Sequence, residues 1–110
     1  MTRLAAGILI VGLTAGAAAQ VMAQDAAVTK GRAVFEAQKC MMCHSVEGNG
    51  NKNKPLDGVG STLKPEEIKK WITAPKDMKA DTKMKAYPSL SADDLDALVT
   101  YLLTLTKKGS

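Results

Sequence analysis

The chain has 110 residues and a formal net charge of +4, from 15 basic and 11 acidic side chains. A chain of this length forms one domain, and a core so small often depends on a disulfide, a metal or a cofactor. The basic residues are spread among acidic ones, which argues against a nucleic-acid-binding surface. With only one Trp, two Tyr and one Phe, the core is expected to be completed by a large apolar group.

The N-terminus has the pattern of a secretory signal peptide. Arg3 supplies a positive charge, residues 4–19 are uncharged, and small residues follow. Val21 and Ala23 suit the two positions that a signal peptidase reads before the cleavage site. The apolar run over residues 4–19 is 16 residues long, which is shorter than the roughly 20 that a membrane-spanning helix needs.

This pattern predicts the domain boundaries and the location of the protein. We expect a cleaved signal peptide over residues 1–23, with cleavage after Ala19 as the alternative, and a mature domain over residues 24–110. The protein would be periplasmic, or secreted across the cytoplasmic membrane, and would not span the membrane once the signal is removed.

The first predicted element of the mature chain is a helix over residues 26–38. Its apolar residues recur three and four positions apart, which is the helical period; they are Val28, Gly31, Val34 and Phe35. Residues 45–62 contain four glycines and no clear period, so they are expected to form a loop.

Two more helices are expected in the second half of the chain. Pro65 is typical of a first helical residue, and Pro75 is expected to stop that helix. Residues 74–90 are interpreted as a second long loop. Ser91 is a typical N-cap for the last helix, which carries acidic residues in its first turn and an apolar stripe of Leu95, Leu98, Leu102 and Leu105.

Both cysteines and the single histidine lie within five residues, in the segment Lys39-Cys-Met-Met-Cys-His-Ser45. A redox-active dithiol usually lies in a βαβ context, and no strand pattern is visible. A structural zinc ion needs four ligands, and this segment offers three. A disulfide between Cys40 and Cys43 would close a very small loop and stabilise little.

The same string, C-x-x-C-H, is the attachment signal for c-type haem. Both thiols add to the haem vinyl groups, and the adjacent His44 is thereby delivered to the iron. Export, a core short of apolar residues and two long loops all agree with this hypothesis. We therefore predict one covalent haem c, bound by Cys40 and Cys43.

The mature chain resembles the class I c-type cytochromes in their small bacterial monohaem form. The similar segments are KGRAVFEAQKCMMCH, NKPLDGVG, TKMKAYPSLS and LVTYLLTL. The resemblance implies an all-α cytochrome c fold, with three to four short helices and long loops wrapped around the haem. It also implies that Leu98 and Tyr101 pack against Gly31 and Phe35. One departure is Lys54, where many relatives have glycine.

The candidates for the second axial ligand of the iron are Met84, Met78, a lysine or water, and we expect a methionine. His44 is the only imidazole, so a second histidine ligand within the chain is excluded. Met78 lies only about five residues after the second helix, roughly 17 Å at full extension. Met84 has about twice that reach and the family context Thr-Lys-Met. We predict His44 and Met84 as axial ligands, with Met78 as the alternative.

Two further residues are expected to surround the haem, and the resemblance implies the role of the first. The backbone carbonyl of Pro55 would accept a hydrogen bond from His44 Nδ1–H, which would orient the imidazole. The indole N–H of Trp71 would donate to a haem propionate, although the ring could equally be a core residue.

Histidine–methionine ligation fills both axial positions and predicts one-electron transfer rather than an enzyme. Lysines around Met84 would steer acidic redox partners, such as a periplasmic dehydrogenase or oxidase; these are Lys76, Lys79, Lys83 and Lys85. The alternative is a ligand-sensing or peroxidase-like haem protein, in which the sixth position is open or easily vacated.

Overall fold

The computed structural model describes Gly7 and residues 15–107, and this part of the chain is mainly helical. Its helices are α1 (Ala15–Ala37), α2 (Val59–Thr62), α3 (Pro65–Thr73), α4 (Pro75–Met78) and α5 (Ala92–Leu103), with a 3₁₀ turn at Cys40–Met42. Two short antiparallel strands, β1 (Ser45–Val46) and β2 (Asn49–Gly50), form a hairpin. The predicted helical architecture is therefore confirmed.

Helix α1 starts earlier than the sequence pattern indicated. It begins at Ala15 rather than near residue 26, because the alanine-rich segment before residue 26 has high intrinsic helix propensity. Side chains of residues 18–26 are all exposed, so this part of α1 contributes nothing to the core. The predicted signal peptide lies partly outside the described residues, and it stays a prediction.

The two later helices begin where the local chemistry predicted. The Ser91 hydroxyl accepts the Asp94 N–H at 3.1 Å, which caps α5. Pro65 is the first residue of α3. The carboxylate of Glu67 accepts the Lys64 N–H at 3.0 Å, so this helix is capped by an acid inside its first turn rather than by the residue before it.

Both predicted loops contain short regular elements. Residues 45–62 include the β1–β2 hairpin and α2, and residues 74–90 include α4. Strands of two residues and helices of one turn are too short to produce a recognisable apolar period. Pro75 ends α3 as expected, but it also starts α4, since proline suits the first helical position.

Helices α1 and α5 pack closely through a glycine. A Cβ at Gly31 would overlap the Ala97 carbonyl and lie 2.6 Å from Tyr101 Cβ. The Phe35 and Tyr101 rings meet edge to face, with centroids 5.6 Å apart, a favoured aromatic geometry. Phe35 and Tyr101 therefore pack as expected, and Leu98 is buried in the same core cluster.

Helix α3 packs against α5 and contributes Ile68 and Ile72 to the core, which are 2% and 5% exposed. The methionine-containing loop is attached to this helix, because the Tyr87 N–H donates to the Ile72 carbonyl at 2.8 Å. No helix in the described part of the chain has the length and apolar character needed to cross a membrane.

Replacement of Phe35 by alanine is expected to lower the free energy of unfolding by about 3–5 kcal/mol. The ring is only 3% exposed and packs between α1 and α5, so truncation leaves a cavity that the helices cannot close. Glu36→Ala is the control, because Glu36 is exposed and its ion pair with Arg32 is a surface contact. It should change the free energy by no more than about 0.5 kcal/mol. Denaturant melts of both holoproteins measure the difference, and equal losses would contradict the packing role of Phe35.

Candidate functional site

The two cysteines lie on a tight turn directly after α1. Lys39 adopts a left-handed conformation, with φ of 58°, and redirects the chain into the 3₁₀ turn Cys40–Met42. The N–H groups of Cys43 and His44 then both donate to the Cys40 carbonyl, at 3.2 and 3.0 Å. This turn, residues 40–44, is called the attachment turn below.

The two thiols have different environments. Both are free; Cys40 is half-buried and Cys43 is exposed. Burial raises the pKa of the Cys40 thiol to about 11, so it is protonated at neutral pH. The attacking cysteine of a dithiol oxidoreductase has a lowered pKa instead. This environment therefore disfavours the dithiol interpretation of the motif.

The His44 ring is held by a backbone carbonyl. Its Nδ1 lies 3.1 Å from the Lys54 oxygen, and a proton on Nδ1 leaves Nε2 with a free lone pair that can bind a metal. Burial lowers the pKa of His44, which favours the neutral imidazole that metals require.

Pro55 was expected to accept this hydrogen bond, but the acceptor in the structure is the carbonyl of the preceding residue, Lys54. The Ser45 N–H donates to the Lys54 carbonyl at 3.3 Å, and the Ser45 carbonyl accepts the Leu56 N–H at 2.8 Å. This parallel pairing of Ser45 with Pro55 directs the Lys54 oxygen, not the Pro55 oxygen, toward the attachment turn. Sequence reasoning missed Lys54 because backbone acceptors carry no side-chain signal.

A cavity of about 310 Å³ lies between α3, α5 and the attachment turn. Most of its surface is apolar, and five buried core residues contribute to it: Phe35, Ile68, Ile72, Leu98 and Leu102. Cys40, His44 and Met84 line the same cavity. A thiol, an imidazole and a thioether therefore meet at one apolar space.

A second cavity of about 280 Å³ adjoins the first. The two share five lining residues: Cys40, His44, Lys54, Met84 and Tyr87. Cys43 also lines the second cavity, together with the exposed lysines Lys39, Lys83 and Lys85. Cys40 therefore borders both of two adjoining cavities, and Cys43 borders the second one, which is lined by basic side chains.

The two candidate methionines lie in different environments. Met84 is half-buried and lines both cavities, whereas Met78 is the last residue of α4 and is not among the residues lining either cavity. The Met84 N–H donates to the Thr82 hydroxyl at 3.2 Å, which shapes the loop around it. This placement favours Met84 over Met78, although the ligand assignment itself stays a prediction.

Two aromatic residues also line the space. Trp71 is half-buried in α3 and borders the larger cavity, so its predicted contact with a haem propionate is compatible with its position. Sequence analysis did not single out Tyr87 as a site residue. It lies between the two cavities, and burial raises the pKa of its phenol.

The lining fits a large apolar cofactor better than a single ion. Within residues 15–107 and Gly7, no cluster of three His, Cys, Asp or Glu side chains could hold a metal ion. Two thiols at the edge, an imidazole with a free nitrogen and a thioether match the donor set of a covalently attached haem. The fold and the site together therefore define a covalent haem protein.

Comparison with known proteins establishes the family. The chain matches the cytochrome c family over residues 28–106, and it belongs to that family. The predicted class I c-type cytochrome and its fold are therefore confirmed. Membership implies a covalently bound haem c and haem-based electron transfer.

The chain is also similar to a curated protein, cytochrome c oxidase subunit 2 of Alkalihalophilus pseudofirmus. The two are 34% identical over 85 residues, which covers 69% of this chain and 25% of the relative. This chain thus spans about a quarter of the relative's length.

Proposed function

We propose that this protein is an exported one-electron carrier with a single haem c, held by thioether bonds from Cys40 and Cys43 and by His44 and Met84 as axial ligands. The observation that carries the proposal is that His44 and Met84 line the same apolar cavity, next to Cys40. His44 is the only histidine in the chain, so the second ligand has to be another residue type.

Each residue of the site has a physical role in this proposal. The cysteines prevent loss of the cofactor, and the Lys54 carbonyl orients the His44 ring. Met84 offers a soft sulfur ligand, which favours reduced iron and raises the potential. The haem supplies the one-electron couple. With both axial positions filled, no site remains for oxygen or peroxide, so we propose that the protein is a carrier and not an enzyme.

The proposed location outside the cytoplasm depends on the signal peptide. The side chains of residues 18–23 are exposed, so cleavage after Ala23 or Ala19 would remove no buried side chain from this segment. A mature domain over residues 24–110 would keep every residue of the core cluster, since these residues start at Val28.

Partners are proposed to dock at the basic mouth of the second cavity. Lys39, Lys54, Lys83 and Lys85 border it, and all are exposed. Such a patch attracts an acidic surface and accelerates encounter, and the effect weakens as salt screens the charges. A periplasmic dehydrogenase is one suitable partner. An oxidase is the other, as similarity to an oxidase subunit suggests.

The mass of the exported protein tests the proposed attachment and processing together. In a host with c-haem assembly machinery, we expect the mass of residues 24–110 plus one haem. Replacing either Cys40 or Cys43 by alanine should leave at most one thioether bond. Free thiols or a Cys40–Cys43 disulfide in the wild-type preparation would contradict covalent attachment. An uncleaved N-terminus would contradict only the processing.

A further inference from the structure

Asn51 makes four hydrogen bonds that join the attachment turn to the segment after it. Its backbone N–H is shared between the carbonyl oxygens of Met41, at 3.0 Å, and His44, at 3.1 Å. Its side-chain Nδ2 donates to the Met42 carbonyl at 3.1 Å, and its Oδ1 accepts the Asn53 N–H at 3.0 Å. A single exposed residue therefore holds three carbonyl groups of the attachment turn.

The backbone before Asn51 is adapted to this close approach. Gly50 has a φ of 104°, a conformation that residues with a Cβ rarely adopt. A Cβ there would overlap the His44 carbonyl and would lie 3.1 Å from the Met41 oxygen. Glycine therefore lets the hairpin lie directly against the attachment turn, which brings the Asn51 N–H within hydrogen-bonding distance.

The bond from Asn51 to Asn53 links this contact to the His44 ring. Holding the Asn53 N–H fixes the direction of the chain just before Lys54. The Lys54 carbonyl is the group that lies 3.1 Å from His44 Nδ1. Asn51 thus holds the His44 backbone on one side and the acceptor of the His44 imidazole on the other.

We propose that Asn51 is a positioning residue for the His44 imidazole, and this inference rests on the proposed role of His44 as an iron ligand. A hydrogen bond from Nδ1–H to a carbonyl fixes the ring and makes Nε2 more basic. A more basic nitrogen stabilises oxidised iron and lowers the potential. Asn51 acts on the potential through Lys54, without contacting the ring.

Asn51→Ala is expected to loosen the Lys54 acceptor. In the holoprotein, the midpoint potential should rise by up to ~59 mV. For one electron, this shift corresponds to about a tenfold increase in the reduction equilibrium constant. Exchange of His44 Nδ1–H with solvent, followed by NMR in the reduced protein, should accelerate by up to about tenfold, the factor that corresponds to the loss of one ordinary hydrogen bond.

Two matched variants test which hydrogen bond of the Asn51 side chain matters, the one to Asn53 or the one to Met42. Asn51→Ser keeps an oxygen that can accept the Asn53 N–H but is too short to reach Met42, so it should keep most of the wild-type potential and exchange rate. Asn53→Ala should match the wild type, because Asn53 contributes its backbone N–H to this contact. If Asn51→Ala fails to fold, Asn51→Gly replaces it, because glycine also has no side-chain acceptor. The potential and exchange rate of Asn51→Gly are then compared with those of Asn51→Ser.

The amide exchange of α5 serves as an internal reference for global unfolding. If Asn51→Ala changes neither the potential nor the His44 ring exchange, or accelerates both regions equally, the positioning role is refuted. If the wild-type spectrum shows no histidine bound to iron, the proposed function itself fails. The two failures are therefore distinguishable.

Discussion

Without its haem, the mature chain is expected to lose most of its tertiary structure. Among the described residues nine apolar side chains are buried, and five of them line the larger cavity. In the apoprotein these five residues would face water or an empty space of about 310 Å³. A small domain with so few other core residues has little free energy with which to offset that loss.

Circular dichroism of the chain over residues 24–110, made without haem attachment, measures this effect. We expect a large loss of helical signal and no cooperative thermal transition, whereas the holoprotein should melt cooperatively. The double variant Cys40→Ala/Cys43→Ala provides an apoprotein that cannot form a disulfide. A compact apoprotein with a sharp transition would show that α1 and α5 hold the fold without the cofactor.

Met84→Ala is expected to change both the ligation and the midpoint potential of the iron. Loss of the thioether should abolish the long-wavelength absorption band of thioether-ligated ferric haem and lower the midpoint potential by on the order of 100 mV or more. Water or a lysine would take the vacant position. Lys79 borders the larger cavity, and Lys83 and Lys85 border the smaller one. The reduced variant should bind carbon monoxide readily.

Met78→Ala is the matched control, since the same side chain is removed from the same loop region outside the cavity lining. Its spectrum and potential should match the wild type. Reversed results would exchange the two methionines and leave the carrier proposal intact. If neither variant changes the spectrum and the wild type binds carbon monoxide quickly, a ligand-sensing or catalytic haem protein becomes the better hypothesis.

Short-range chemistry made much of the fold predictable. Ser91 and Pro65 start their helices because a hydroxyl cap and a proline act within one turn of where they stand. The expected contact of Phe35 with Tyr101 was also found, although that contact came from the family resemblance and not from the local pattern.

Prediction from the sequence failed where backbone groups of different segments form hydrogen bonds with each other. The β1–β2 hairpin has two-residue strands and leaves no apolar alternation to detect. Lys54 acts through its backbone carbonyl, which every residue type has. Asn51 acts partly through its backbone N–H, which every residue type but proline has. The pairing of Ser45 with Pro55 decides which carbonyl reaches His44, and no local sequence feature encodes that register.

The sequence alone predicted the attachment chemistry, because Cys40, Cys43 and His44 lie within five residues and need no tertiary contact to be adjacent. The surroundings of these residues became clear from the tertiary structure. Burial of Cys40, the Lys54 acceptor and the placement of Met84 rather than Met78 beside the cavity all depend on segments distant in sequence. Those segments meet because the helices and loops pack around one apolar space, and packing depends on the whole chain at once.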